Sequence, residues 1–532
     1  MPAHQELASA AERPPQRAAG GVVATWVRLL VITLVGVAQA PILFRHIPAD
    51  ELGVWYLFFA LATFVNLSDL GLPSTFQRAA SYLWGRQRSG VSEQAPGVPS
   101  IYRAASLPEL YASALLATAG LAMAFAAAVF PAALLYFRHA LPRGSIQSHL
   151  LVPLLVFLLG VVLNAVAAIP GACLSGCGRV ALDNWVRTAA NLLGFGLICL
   201  LVPVHRSLNV LCAIYVIQGL TALVVSHLAI NLTLGTGRWR ELRLDLPLVR
   251  SMYRESFPIF VSRIGGWLTV ESTLLIAGYV LGSERIADLG VLRQMVAIGA
   301  SITAAIPLAV SPQVAAAHAA GDEEQVRSLY LATLRYALVV NVLWTVGLLV
   351  WGPVVIGVLV GAEHFLGYGV LVPLALGSLL ELHGITHAFF VWNVGKWPFA
   401  PYVLAGGLLN LLLASLGCAT HGFVGLAWGT ITAQALTVWW VQAWFALQQL
   451  GVSLRSYLAG TVVRVGLYGA TLAAAGVGIH WFVSTRFPLL AAAAGGIVGT
   501  TLVSGLLAWL VVLTEGDRAY FLRLLRIRPS TR

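Results

Sequence analysis

Lysine is almost missing from this chain. Lys396 is the only one among 532 residues, and the other basic side chains are arginine. Charge of either sign is scarce, at 10% of the residues, where a soluble domain carries about 25%. A soluble globular protein is excluded, because a chain that is 59% hydrophobic would lack the polar residues to coat its core. No GxxxxGK[ST] occurs, so the chain has no phosphate-cradling loop and is no self-contained ATPase. The loops expected outside the membrane are all short. They hold no exposed Ser, His and Asp set and leave no room for the acidic residues of a glycosyltransferase or polymerase, so an enzyme is not expected. Cysteine is limited to Cys173, Cys177, Cys199, Cys212 and Cys418, all in or beside apolar segments. Cys173 and Cys177 share a helix face but have no His or acidic neighbour at metal-ligand spacing, and read as small packing residues.

Apolar windows of about 20 residues recur from Thr25 to the C-terminus, the length that crosses a bilayer as a helix. The short alternating segments of a membrane β-barrel are absent. The expected fold is all-α and polytopic, with about fourteen transmembrane helices. They are read at 23–43, 52–80, 108–137, 149–173, 184–204, 208–234, 255–281, 287–316, 329–359, 368–393, 399–418, 422–446, 459–483 and 488–514. The net charge of +11 is spread between spans rather than gathered in one basic domain, so topology explains it before nucleic acid does. One set of alternate loops holds most of the arginines, including Arg86, Arg88, Arg103, Arg238, Arg240, Arg243, Arg250 and Arg254. The positive-inside rule then puts both termini in the cytoplasm. Residues 1–22 read as a cytoplasmic tail, 235–254 as a basic cytoplasmic linker, the overlapping 238–257 as a basic, partly amphipathic stretch on the inner leaflet, and 515–532 as a basic cytoplasmic tail. Gly85 to Leu107 reads as a mobile loop.

An internal repeat organises the spans. The turn IPADELGVWYLFF (47–59) resembles ERIADLGVLRQMV (284–296) when Gly53 is set against Gly290. The same offset brings Arg28 to within two residues of Arg263, and Pro73 to within two of Pro312. Six spans separate the copies, so the repeat is parallel. Spans one to six (23–234) and seven to twelve (255–446) form two pseudo-symmetric six-helix lobes, with 459–514 as two further helices.

Ionisable groups at membrane depth cost at least ~2.5 kcal/mol each and usually face a bundle interior or wet cavity. Arg28 lies near the inner end of span one, with Gln39 three turns on along the same face. Span seven carries Arg263 and Glu271, and Arg293 and Gln294 open span eight. Arginine stays charged, and its planar fork matches phosphate oxygens in pairs. Arg28, Gln39, Arg263, Arg293 and Gln294 are therefore the candidates for an anionic substrate; the blander alternative is that Arg28 and Arg293 snorkel to the headgroups. Asp69, just before Gly71 and Pro73, sits at an expected helix bend. It reads as a gate, an ion site, a partner for Arg78 or a cap for freed backbone. Glu271 would bind a coupling cation or pair with Arg263. His383 and His387 share a helix face, while Glu381 lies on another; a metal site would need more ligands, so packing or pH sensitivity is the expected role. Trp26, Trp55, Trp84, Trp344, Trp351, Trp397, Trp439, Trp440 and Trp481 read as interfacial anchors.

The segment PILFRHIPADELGVWYLFFALATFVNLSDLGLPSTFQRAASYLWGRQ resembles the opening spans of the bacterial Wzx-like O-antigen and oligosaccharide flippases. It carries Glu51 before Gly53 and Trp55, then Asp69-Leu70-Gly71-Leu72, then Arg78-Ala79-Ala80-Ser81. PLAVSPQVAAAHAAGDEEQVRSL is similar to that family's eighth span and following loop. The resemblance implies membership of the multidrug, oligosaccharidyl-lipid and polysaccharide exporter superfamily, a cationic central cavity, and alternating access. The cargo would be a polyprenyl-pyrophosphate-linked glycan in the bacterial inner membrane. No cofactor is expected beyond, at most, a coupling cation (H+ or Na+). Membrane lipid and glycan polymerase machinery are the expected partners of a monomer that binds no nucleic acid. The rival readings are a lipid II flippase, a drug–cation antiporter of the same superfamily, and a membrane-embedded glycan polymerase or ligase.

Overall fold

The computed structural model describes residues 14–89, 106–141, 149–235, 243–393 and 399–518. The first part of the expected N-terminal tail, most of the 85–107 loop, Arg238 and Arg240, Lys396 and the tail beyond Arg518 lie outside the described residues. Every regular element among those described is helical. The chain divides into two compact units, unit 1 of Met1–Trp267 with Leu281–Ala287 and unit 2 of Leu268–Val280 with Asp288–Arg532.

Unit 1 begins with α1 (Pro14–His46), α2 (Ala49–Asn66) and α3 (Leu72–Ser89). The second span is a broken helix. A short 3-10 turn, Leu67–Asp69, is followed by Leu70 (φ 49°) and Gly71 (φ 79°), both left-handed. Gly71 takes that conformation freely, whereas for Leu70 it costs roughly 1–2 kcal/mol. Pro73 then falls in the first turn of α3, where its missing N–H removes no helical bond. The unit continues through α4 (Leu107–Ala140), α5 (Leu151–Gly176), α6 (Val180–His205) and α7 (Leu208–Leu234). Rings from several spans pack in its interior: Phe58 meets Phe157 at a tilt, 5.0 Å between centres, and Phe157 stacks on Tyr215 at 5.1 Å. Trp55, expected at an interface, joins this cluster and is buried.

Span seven begins earlier than its apolar run. Helix α8 (Leu246–Val270) takes in much of the stretch read as lying on the leaflet. Leu248 and Val249 precede Met252 by four and three residues and so share a helical face with it. Leu248 and Met252 are buried in the unit 1 core beside Leu110 and Tyr111. The helix stops at Glu271 and resumes as α9 (Ser272–Leu281).

Unit 2 takes α10 (Ile286–Ala319) from Asp288 onward, then α11 (Glu323–Leu359), α12 (Tyr368–Asn393), α13 (Ala400–Thr437), α14 (Trp439–Gln449), α15 (Leu454–Tyr457), α16 (Val463–Ser484) and α17 (Leu489–Leu507). Thirteen helical stretches among the described residues are long and apolar enough to cross a membrane, and one of them, Ala400–Gln449, is 50 residues long. That stretch is two spans. His421 (φ −132°) and Gly422 (φ 60°, ψ −141°) are non-helical. On either side of them Gly406 closely approaches Thr437, Gly429 approaches Leu413, and Gly417 approaches Gly425. Pairs that converge on residue 421 describe an antiparallel hairpin, which brings the membrane-length helical stretches among the described residues to fourteen. Trp351, also expected at an interface, is buried and donates its indole N–H to Thr500 Oγ1 at 3.1 Å. A buried indole is accommodated once it finds such an acceptor.

The two similar turns each brace another loop. Glu51 accepts from the Leu208 amide at 2.6 Å, and Asp288, beside Gly290, lies 2.7 Å from His364 Nδ1. Beyond the last span, Asp517 ties the chain to α11. Its carboxylate accepts from the Tyr336 hydroxyl at 2.7 Å, Arg335 at 2.9 Å and the Thr514 hydroxyl at 2.7 Å. Burial alone would raise this carboxyl. The bonds from Thr514 and Tyr336 and the Arg335 charge outweigh burial and hold it below the usual carboxylate range.

A Cβ on Gly425 would overlap the Gly417 carbonyl. Gly425→Ala should therefore cost about 1–3 kcal/mol by overpacking and lower the melting temperature of the detergent-solubilised protein. Gly478→Ala, whose Cβ meets nothing within 4 Å, should not lower it.

Candidate functional site

Unit 1 holds a polar cluster between α1, α5 and α6. Thr25 and Arg28 are three residues apart on α1 and so share a face. Asn184 on α6 donates to Thr25 Oγ1 at 2.9 Å, and Arg28 Nη1 donates to Asn184 Oδ1 at 3.2 Å. Beside Asn184, Arg187 Nε donates to Asp183 Oδ1 at 2.8 Å, one helical turn apart. Ser175 on α5 donates to the other Asp183 oxygen at 3.2 Å. Any residue larger than glycine at 171 would overlap this ion pair, so Gly171 makes the space for it. Arg28 lies within electrostatic range of both Arg187 and Asp183. Its Nε has no hydrogen-bond partner among the described residues. The cluster thus sets two guanidiniums against one carboxylate. Deeper along α6, Gln218 of α7 donates to Asn191 at 2.5 Å, extending a polar seam.

A second site forms at the break in span two. Asp69 Oδ1 accepts from the Gly71 amide at 2.8 Å and also from Arg263 Nη1. The carboxylate thus caps backbone freed by the break and neutralises a membrane-depth arginine. Arg78, the partner weighed from sequence, is exposed. Helix α8 follows span two beyond this pair: Trp267 donates to the Ala60 carbonyl at 3.3 Å and packs on Phe64 at 4.9 Å between ring centres. Arg28 and Arg263, expected to act as partners, each bond elsewhere and share no bonding partner among the described residues.

Unit 2 holds the third site. Glu271 occupies the gap between α8 and α9, and Arg293 Nη2 of α10 donates to its Oε2 at 3.2 Å. Arg263, the other partner considered for Glu271, is taken by Asp69. Asn410 of α13 makes the helix break tolerable, donating to the Leu268 carbonyl at 2.7 Å and the Thr269 carbonyl at 3.1 Å. Backbone freed at membrane depth must find such a partner inside the protein. Glu271 and Arg293 line a cavity of about 220 Å³ together with Glu381, Thr273, Ser378 and Gln434. Arg293 Nη1 and Gln434 Oε1 have no partner among the described residues. Here two carboxylates face one guanidinium. Gln294, next to Arg293, is outside this lining, and Gln39 on α1 is half-buried.

Sequence reasoning missed Asp183 and Arg187, although two opposite charges spaced i, i+4 in an apolar run were a readable signal. It also left Glu381 out of the site. The double duty of Asp69 gives a test. Asp69→Ala removes both the Gly71 cap, worth about 1 kcal/mol, and the ion pair. Arg263→Ala removes only the pair and leaves the Asp69 carboxylate its bond from the Gly71 amide. Thermal unfolding should therefore rank Asp69→Ala as the more damaging, with Asp69→Asn between the two.

No protein-family model matches the chain, and no curated protein matches its sequence. Solved structures do match. One is the lipid II flippase MurJ in an inward closed conformation, at TM-score 0.66 and 12% identity over 95% of this chain and 99% of that one. Another is an inward-facing multidrug resistance MATE family transporter of the MOP superfamily, at TM-score 0.61 and 16% identity over 81% and 98%. A third is a MOP superfamily transporter from Pyrococcus furiosus, described by a reversed polarity of its binding pocket, at TM-score 0.52 and 15% identity over 83% and 96%. The chain is a multi-pass membrane protein with the fold of these transporters and flippases.

Proposed function

We propose that this protein flips a polyprenyl-pyrophosphate-linked oligosaccharide from the inner to the outer leaflet of the bacterial cytoplasmic membrane by alternating access, for surface polysaccharide or O-antigen synthesis. The observation that carries this reading is the surplus guanidinium at Arg28 and Arg187, which share only Asp183. The other membrane-depth arginines of the sequence reading are locally balanced, Arg263 by Asp69 and Arg293 by Glu271. An unbalanced arginine in a low-dielectric setting calls for an anion, and its fork suits a phosphate oxygen pair. Arg263 would join the anion on release from Asp69, which makes that pair the gate. The carboxylate surplus at Glu271 and Glu381 supports coupling to H+ or Na+, since one positive charge would balance that cavity. The inner-side arginines support placing both termini in the cytoplasm.

A second reading has its own support. The match to MurJ extends over nearly the whole of both chains, so lipid II, which also carries a polyprenyl pyrophosphate, is the rival cargo. Both readings predict that Arg28→Ala/Arg187→Ala loses transport about tenfold or more, the scale of one charge-assisted hydrogen bond of ~1.5–3 kcal/mol. Membrane insertion should stay normal. Surface glycan displayed by cells carrying each variant measures this, and undiminished glycan in the double variant would sink the glycan assignment. Rescue of cells depleted of their peptidoglycan-precursor flippase would select lipid II instead.

A further inference from the structure

Helices α11, α12, α14 and α15 meet at one end of unit 2 in a closed set of hydrogen bonds. His383 and His387 lie one turn apart on α12, both buried. The Trp439 indole N–H donates to His383 Nδ1 at 2.7 Å. His383 Nε2 lies 2.9 Å from His387 Nε2 and 2.5 Å from the Tyr457 hydroxyl. His387 Nδ1 lies 2.6 Å from the Tyr330 hydroxyl.

Donor chemistry assigns the protons. An indole nitrogen can only donate, so His383 Nδ1 is bare and its Nε2 carries the proton. That proton points at His387 Nε2 and the Tyr457 oxygen. His387 Nε2 must therefore accept, leaving its Nδ1 to donate to Tyr330. Each ring holds one proton and all four ring nitrogens are satisfied. A second proton has no place: on His383 Nδ1 it would meet the indole N–H, and on His387 Nε2 it would meet the His383 N–H. The titratable groups facing the pair are Tyr330 from α11 and Tyr457 from α15, neither of which offers a negative charge at neutral pH. Glu381, on the same helix, lines the cavity with Glu271 and Arg293 instead.

We propose that the His383–His387 pair is an acid-labile clasp on this end of unit 2. It closes only with both rings neutral, and a proton on either ring opens it and loosens the joint between four helices. A free imidazole titrates near ~6.5. Because the clasped rings bind a second proton only by giving up a bond, protons favour the opened state. The stabilisation is complete above that pH and is lost as the pH falls through it, by about tenfold in the equilibrium constant per pH unit for each histidine. The charge bias assigns this end to the cytoplasmic side, so the clasp would respond to cytoplasmic acid.

Thermal unfolding of the detergent-solubilised protein between pH 8 and pH 5 tests this in wild type, H383N/H387N and W439F. The wild-type melting temperature should fall below about pH 6.5, near the free imidazole value. The double variant should lose most of that fall. W439F keeps both imidazoles but removes the N–H that bars a proton from His383 Nδ1, so its fall should be shallower than wild type. Equal slopes for wild type and the double variant overturn the proposal. If the double variant does not fold, a W439F slope as steep as wild type overturns it. Nitrogen NMR of histidine-labelled wild type should show two neutral rings at pH 7, protonated at His383 Nε2 and His387 Nδ1; an imidazolium at either position also overturns it.

Discussion

A charge left alone at membrane depth is the constraint on which this structure turns. An unpaired ionisable group there costs several kcal/mol, while a hydrogen-bonded opposite charge offsets much of that. The chain meets the constraint with local pairs: Arg187 with Asp183, Arg263 with Asp69, and Arg293 with Glu271. The same logic closes the described chain, where Asp517 joins Arg335. Backbone obeys it too. The broken second span is capped by Asp69, and the broken seventh by Asn410. Asp69 belongs to the broken span itself, whereas Asn410 reaches the seventh span from another helix.

Against that background the imbalances become informative. Arg28 brings a second guanidinium to the unit 1 cluster against one carboxylate, and Glu381 brings a second carboxyl group to the unit 2 cavity against one guanidinium. Neither has an opposite charge of its own: Arg28 gives one guanidinium N–H to the neutral Asn184 amide, and Glu381 makes no hydrogen bond among the described residues. A fold kept only for stability would gain from removing them. The His383–His387 pair shows the opposite solution, in which groups able to take charge are held neutral by the geometry of their donors.

Much of this was legible in the sequence because hydrophobicity is a local signal. Apolar windows located the spans, and Gly71 with Pro73 marked the break in the second. The spans read at 399–418 and 422–446 already divided the 50-residue helical stretch. The charges were visible but their pairings were not, since Asp69 and Arg263 lie 194 residues apart. Starting span five at residue 184 cut Asp183 from Arg187, although their spacing made them neighbours. The break at Glu271 depends on Asn410, a residue with no sequence feature that points to the seventh span. Trp55 and Trp351 misled for a related reason: an indole prefers an interface only where the interior offers its N–H no acceptor and its ring no stack, and here both are buried.

The hairpin centred on residue 421 bears on how the chain enters the membrane. Between Lys396 and Arg455 the sequence carries no Lys, Arg, Asp or Glu. Its turn at residue 421 therefore offers insertion machinery no Lys, Arg, Asp or Glu by which to orient it, and the nearest such charges in the sequence are Lys396 and Arg455. Gly417, Gly425 and Gly429 let the two arms touch backbone to backbone, so each arm presents to the other a surface that lipid would fill poorly. The pair is suited to enter the bilayer as one preassembled unit, with its direction inherited from its flanks.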